Sequence, residues 1–215
     1  MKNVLAFAAC CAFAWQAAPA YARPVSYAGG WMAMQTNDAD SHSLEIGFSP
    51  THRYALGYLG EYWRDGDWQF HGVNANWLAK RWNLPSSQAN IYLRGAVGVA
   101  YSDFGAWDGK SEPAATLGFS ADWEDRRYYT SYDNRYVEAG DIDHFLMQKA
   151  RVGIAPYIGG YGDLHTWLML EVSHNPTRED TFTLTPMVRL FKGDYLGELG
   201  ISDKGDVLFN LTLQF

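Results

Sequence analysis

Apolar and polar residues alternate with a period of two along most of this chain, in runs of about nine or more residues, and helical spacing fails almost everywhere. In the last run Val207, Phe209, Leu211, Leu213 and Phe215 share one face, opposite Leu208, Asn210, Thr212 and Gln214. Upstream, Phe182, Leu184, Pro186, Val188 and Leu190 oppose Thr181, Thr183, Thr185, Met187 and Arg189. Leu168, Leu170 and Val172 oppose Trp167, Met169, Glu171 and Ser173, and Leu44, Ile46 and Phe48 oppose Glu45 and Gly47. Turn chemistry separates the runs: SPTH at 49–52, RDGD at 64–67, NLPSS at 83–87, GGYGD at 159–163, KGD at 192–194 and SDKG at 202–205. The pattern predicts an all-β, antiparallel protein of about twelve strands, with ten as the other count. They fall near 28–36, 42–48, 53–64, 68–82, 89–102, 114–123, 126–138, 143–157, 162–174, 179–191, 194–201 and 206–215. Segment 28–36 fits either facing, and 126–138 is polar on both faces.

The first 22 residues read differently. Lys2, the apolar VLAFAACCAFAW and a small-x-small AYA at 20–22 predict a cleaved secretory signal, leaving residues 23–215 as one domain. Both cysteines, Cys10 and Cys11, lie in that apolar run, so the mature chain carries no disulfide, zinc-thiolate or thiol nucleophile. Lipidation at Cys10 competes, but Phe7 fits a lipobox poorly. Aromatic residues reach 16% against 19% charged, a balance suited to an apolar-polar interface. The net charge of −7 and the lack of a basic cluster argue against a nucleic-acid surface. No stretch approaches the ~20 apolar residues of a membrane helix.

Signal, amphipathic strands, tight turns, aromatic excess and a final strand ending in Phe215 together resemble a Gram-negative outer-membrane β-barrel. The resemblance covers residues 23–215 and is to the class, not to a particular family. It implies an up-and-down transmembrane barrel in outer-membrane lipid, whose last strand, through Phe209, Leu211, Leu213 and Phe215, is read by the barrel assembly machinery. A membrane barrel must pair every backbone group internally, so first and last strands close on one another. A soluble β-sandwich or lipocalin-like barrel shares the alternation with its apolar face inward. Against it stand Glu45, Glu61, Arg94, Asp122, Lys149, Arg151, Glu171, Arg189 and Glu198: they lie opposite the apolar face, of mixed sign and spread over many strands, as in a polar lumen.

With the amino terminus in the periplasm, the turns at 37–41, 65–67, 103–112, 139–142, 175–178 and 202–205 face outward. The longest, DFGAWDGKSE, is too small for an elaborate plug, so wall side chains set any solute path. Large inward residues such as Trp167, Tyr92, Arg94 and Arg151 narrow a twelve-stranded lumen. The charged wall either replaces the hydration of small polar solutes or interlocks and closes the barrel. His144 and His174 form a sharper constellation. A turn centred near 159 sets them opposite one another with Asp141 and Asp143 close by, a pattern able to ligate a divalent metal or serve as base and orienter; an ordinary polar rim explains it too. Ser41 and His42 in DADSHS read as a solvated turn. Met32 and Met34 share a face, as copper(I) ligands or plain wall residues. NLT at 210–212 is an accidental sequon. The expectation is a narrow, porin-like passive channel for small polar solutes or ions, with no cofactor. The alternatives are an outer-membrane lipid or peptide hydrolase or acyltransferase using His144, His174, Asp143 and His42, and a closed structural barrel. Metal binding and oligomeric state stay open.

Overall fold

The computed structural model describes residues 23–160, 162–177 and 181–215; the signal segment 1–22 lies outside them. Twelve strands form one closed antiparallel barrel in which each pairs with its sequence neighbours and β1 pairs with β12. They are β1 Trp31–Asn37, β2 Ser41–Thr51, β3 Tyr54–Trp63, β4 Trp68–Asn83, β5 Ser87–Ser102, β6 Lys110–Asp125, β7 Tyr128–Glu138, β8 His144–Ile154, β9 His165–His174, β10 Phe182–Lys192, β11 Tyr195–Ile201 and β12 Val207–Gln214. The seam runs from Met32↔Gln214 to Asn37↔Phe209. Trp31 and Phe215 then exchange both backbone bonds, at 2.6 and 3.0 Å.

Side-chain alternation across each strand sorts the residues as the pattern requires. Leu117, Val97 and Val73, on successive strands, point outward and are 69%, 66% and 63% exposed. Glu45, Glu171 and Glu198 point inward and are buried. This inverts a soluble barrel, which hides its apolar face, and an apolar belt spanning every strand far exceeds the patches that water-soluble monomers show. Segment 28–36 resolves with Met32 and Met34 on the inner side. Strand β7 sends Tyr128, Tyr132 and Tyr136 outward, and Ser131, Asp133 and Arg135 inward.

The turns fall into two sets, defining a loop end (38–40, 64–67, 103–109, 139–143, 175–181 and 202–206) and a terminal end carrying 52–53, 84–86, 126–127, 155–164 and 193–194. Segment 155–164 corrects the expected strand boundaries: β8 stops at Ile154 and β9 starts at His165, so this terminal-end connection is longer than the 103–109 turn at the loop end. Pro156 lacks the amide a ladder needs, and Gly159, Gly160 and Gly162 favour a turn over an extended strand.

Close approaches of neighbouring strands on the inner face demand glycine, as two facing pairs show. Gly57 stands across from Gly47, and a Cβ there would fall 1.9 Å from the Ile46 carbonyl oxygen; at Gly98, across from Gly72, it would fall 2.1 Å from that of His71. Gly57→Ala therefore costs at least about 1–3 kcal/mol through forced backbone displacement. Gly197→Ala, where nothing lies within 4 Å, is near neutral. The folded fraction on heat-modifiable gel mobility after refolding in detergent checks the pair, and equal folding of both variants would contradict it.

Candidate functional site

Because polar residues on every second position point inward, charges from strands far apart in sequence meet across the lumen. Glu45 on β2 accepts from the amides of Asn74 and Asn76 on β4 at 2.7 and 2.6 Å, and from Arg94 on β5 at 3.2 Å. Arg94 also reaches Asp133 on β7 at 3.4 Å and Asn76 at 3.2 Å. Arg135 on β7 grips Glu61 on β3 with both terminal nitrogens, one at 2.7 Å, and its guanidinium lies 5.5 Å from the Trp63 ring centre. On the opposite wall Glu198 gathers Arg189 at 2.7 Å, Arg151 at 3.3 Å and the Asn210 amide at 2.7 Å, while Arg151 donates to Glu171 at 2.6 Å. Toward the terminal end Arg81 binds Asn90, which donates to Asp122, each at 2.7 Å. Arg23 enters that end and pairs with Glu124 at 2.8 Å and with Gln88, and Val25 packs on Ala55, Leu78 and Tyr92.

All nine charged residues expected opposite the apolar face thus lie inside the barrel, and all but Glu171 line one central cavity of ≈ 290 Å³. The cavity runs from Arg23 and Pro24 at the terminal end to Asp38 and Ser41 at the loop end. Several partners escaped the sequence reading. Asp133 and Arg135 sat in the segment polar on both faces. Asp38 sat in DADSHS, read there as a solvated turn; instead its carboxylate turns inward, is 6% exposed and meets Lys149 on β8 at 2.5 Å. The Asp38 backbone position permits this because its Oδ1 caps the Asp40 and Ser41 amides at 3.0 and 2.9 Å, which leaves Oδ2 for Lys149.

The loop end holds a second feature absent from the expected wall. Trp63, Trp68, Phe70 and Phe145 are essentially fully buried and pack with Val137, Ile142 and Met147. Trp63 meets Phe145 edge-on at 4.7 Å although β3 and β8 are five strands apart, so this apolar cap bridges the barrel. The Trp68 indole N–H reaches Asp143 at 3.2 Å and ties the cap to the turn between β7 and β8. Two tryptophans flanking RDGD, each in phase with the inward positions of its strand, were the available signal.

The His/Asp constellation does not form. His174 pairs with Gln148, four residues along β8 from His144, which instead faces Glu138. The assumed turn centre was displaced because the connection is centred two residues later, near 161. His174 lies outward and stacks on Phe182 at 4.4 Å. Asp143 serves Trp68, and His42 faces outward, stacked on Tyr62 with its ring nitrogens bonded to Asn37 at 2.8 Å and Arg64 at 3.2 Å. Ser41, one residue away, points inward. Among the described residues no group of three or more His, Cys, Asp or Glu side chains is arranged to hold a metal ion.

An apolar exterior around an ionised interior defines the class: a transmembrane β-barrel, consistent with those of the Gram-negative outer membrane. No protein-family model matches the chain, and no curated protein does. Solved structures give low-identity likenesses of barrel shape. A structure titled KdgM porin is 7% identical, with 86% of this chain and 98% of that one covered at a TM-score of 0.49. OccK8 (OprE) of Pseudomonas aeruginosa is 8% identical, with 81% and 57% covered at 0.44. OccAB1 of Acinetobacter baumannii is 10% identical, with 83% and 60% covered at 0.44. No residue correspondence follows at this level.

Two predictions follow from the pairing. Glu198, 3% exposed at its side chain, compensates two guanidinium groups; Glu198→Ala strands Arg189, leaves Arg151 with Glu171 alone, and costs about 3–5 kcal/mol. The Lys110–Asp141 pair is exposed, 78% at the carboxylate, and Lys110→Ala leaves stability close to that of the wild type. Urea unfolding followed by Trp fluorescence measures both, and equal losses would refute the assignment. The second concerns Asp38. Burial pushes its carboxyl up, but the Lys149 charge and the bonds from Lys149, Ser41 and Asp40 outweigh burial and hold it below the ordinary 3.8. A carboxyl depressed in the folded state contributes stability above its unfolded value and loses it as pH falls through its folded value. The stability gap between wild type and Asp38→Asn should therefore hold constant down to about pH 4 and close only below it. A gap already closing near about pH 6 contradicts this.

Proposed function

We propose that this chain is a narrow passive channel of the bacterial outer membrane, admitting small polar solutes or ions. The observation that supports it is the central cavity: ≈ 290 Å³ of space bounded by ionised and amide side chains and reaching toward both ends of the barrel. That volume equals about ten waters at liquid density and sits at the bottom of the range for small-ligand pockets. The solutes it suits are correspondingly small. Opposite charges on facing walls replace hydration for either sign without holding a solute tightly. Delivery to the membrane through the signal at 1–22 and recognition of β12 by the assembly machinery belong to the same reading. The outward, exposed Phe209 and Phe215 support the latter.

One observation favours a second reading, a closed structural barrel: Glu61–Arg135 and Trp63–Phe145 span the lumen and tie opposite walls together. A hydrolytic or acyl-transfer site has no comparable support, since His174 and His42 lie on other strands, away from the adjacent Asp143 and His144.

Planar-bilayer recording on the refolded protein separates the two readings. A channel gives small, reproducible current steps, which His144→Ala and His174→Ala leave unchanged. A permanently closed barrel gives none under any voltage that the bilayer tolerates.

A further inference from the structure

A second, smaller cavity of ≈ 10 Å³ lies toward the loop end, against the wall formed by β9, β10 and β12 and the 202–206 turn, lined by the hydroxyls of Ser173, Thr183, Thr185 and Ser202. Among the described residues bordering the two cavities, Asp38 and Lys149 alone border both. They come from opposite sides of the ring, Asp38 from the turn between β1 and β2 and Lys149 from β8, and close on one another at 2.5 Å. The remaining half of the loop end, from β3 round to β8, is filled by the aromatic cap. A solute leaving the central cavity at this end thus meets packed rings on one side and a hydroxyl-lined slot on the other, with one ion pair between cavity and slot.

We propose that the Asp38–Lys149 ion pair is the constriction of the permeation path and sets its charge selectivity, the path leaving the central cavity off-axis along the β9–β12 wall. This rests on the channel reading. The two partners are unequal. The Asp38 carboxylate is fixed by two backbone amides, at 3.0 and 2.9 Å. Lys149 is a point charge on a flexible four-carbon stem and is the half able to swing aside. It faces Asp38 and Asp40 from the β1–β2 turn, Glu171 from β9 and Asp206 from the turn before β12, and is the one cation among the described residues lining the slot. Its charge therefore offsets part of an otherwise anionic passage. Loss of the lysine leaves carboxylates alone and strengthens the attraction for cations, and loss of the aspartate removes one of the four carboxylates and weakens it.

The test is single-channel recording in planar bilayers with a salt gradient, using the full chain and confirming folding of each protein by gel mobility. The proteins are wild type, Lys149→Met, Asp38→Asn, the double variant Asp38→Asn/Lys149→Met, and Lys110→Ala as a surface control. The double variant is expected to pass at least about twice the wild-type current, because the bridging side chains no longer span the path. Lys149→Met should move the reversal potential toward cations, Asp38→Asn should move it toward anions, and Lys110→Ala should do neither. A silent wild type overturns the proposal together with the channel reading, even where the double variant conducts. Unchanged step size and reversal potential in all folded, conducting variants overturn it and leave the channel reading standing. Absence of steps from every folded protein overturns both together. Should the charge-removing variants fail to fold, Lys149→Arg and Asp38→Glu keep the pair while crowding it. Smaller steps with unchanged selectivity are then the expected result, and wild-type steps the contrary one.

Discussion

Closure of the hydrogen-bonded ring governs everything else in this molecule. In hydrocarbon an unpaired amide has no water to turn to and costs several kcal/mol, so a sheet can enter the membrane only when its first and last strands satisfy one another. Here β1 and β12 do so over six registered positions, and the reciprocal bonds between Trp31 and Phe215 carry the pairing beyond the last of them. Once the ring is closed, the two-residue period leaves no freedom about facing. Every residue is committed to lipid or lumen, and the apolar set must take the outside.

The interior inherits the consequence. Charged side chains on the inner positions are taken from bulk water into a space of limited size, and each would impose a large desolvation penalty if left alone. Pairing across strands is the available remedy, and the registers make it possible. Arg151 and Glu171 are directly opposite on neighbouring strands, as are Arg189 and Glu198. Other pairs ignore strand order: Arg135 reaches Glu61 four strands away, and Lys149 reaches Asp38 across the whole ring. Their contact means that long side chains span the lumen, and that residual space is confined between the bridges.

How far this was legible in the sequence depends on which physical rule carried the information. Facing follows from period alone, and so Glu45, Arg94, Glu198 and the other six inward charges could be sorted without any knowledge of pairing. Register depends on where a turn bends. In a stretch such as 155–164, with Pro156 ending one strand and three glycines offering several turn positions, the bend cannot be placed to better than a residue or two. A shift of two in the turn centre moves the facing partner by four, which separates His144 from His174 and dissolves the site they suggested. Contacts across the lumen depend on which strands the closed ring sets opposite one another and at what height, which no local pattern encodes. That is why Asp38, in a run of small polar residues, looked like part of a solvated turn, and why Trp63 and Phe145 gave no sign of meeting.

The apolar cap and the polar slot are best understood as one device. A lumen lined all round by ionised groups would stay wet but would lack rigidity at its mouth, where short turns supply few contacts of their own. Packing Trp63, Trp68, Phe70 and Phe145 into one side binds β3 and β4 to β8, and Asp143 adds a hydrogen bond from the intervening turn. Rings that exclude water there also remove half of the cross-section from any aqueous route. What remains lies along the threonine and serine positions of β9 and β10, whose hydroxyls can both donate and accept and so tolerate either sign of solute. The same packing that stabilises the mouth thereby leaves its free space on the narrow side, where the Lys149 ammonium lies among several carboxylates and, on the proposal made above, sets both the width and the charge of the opening.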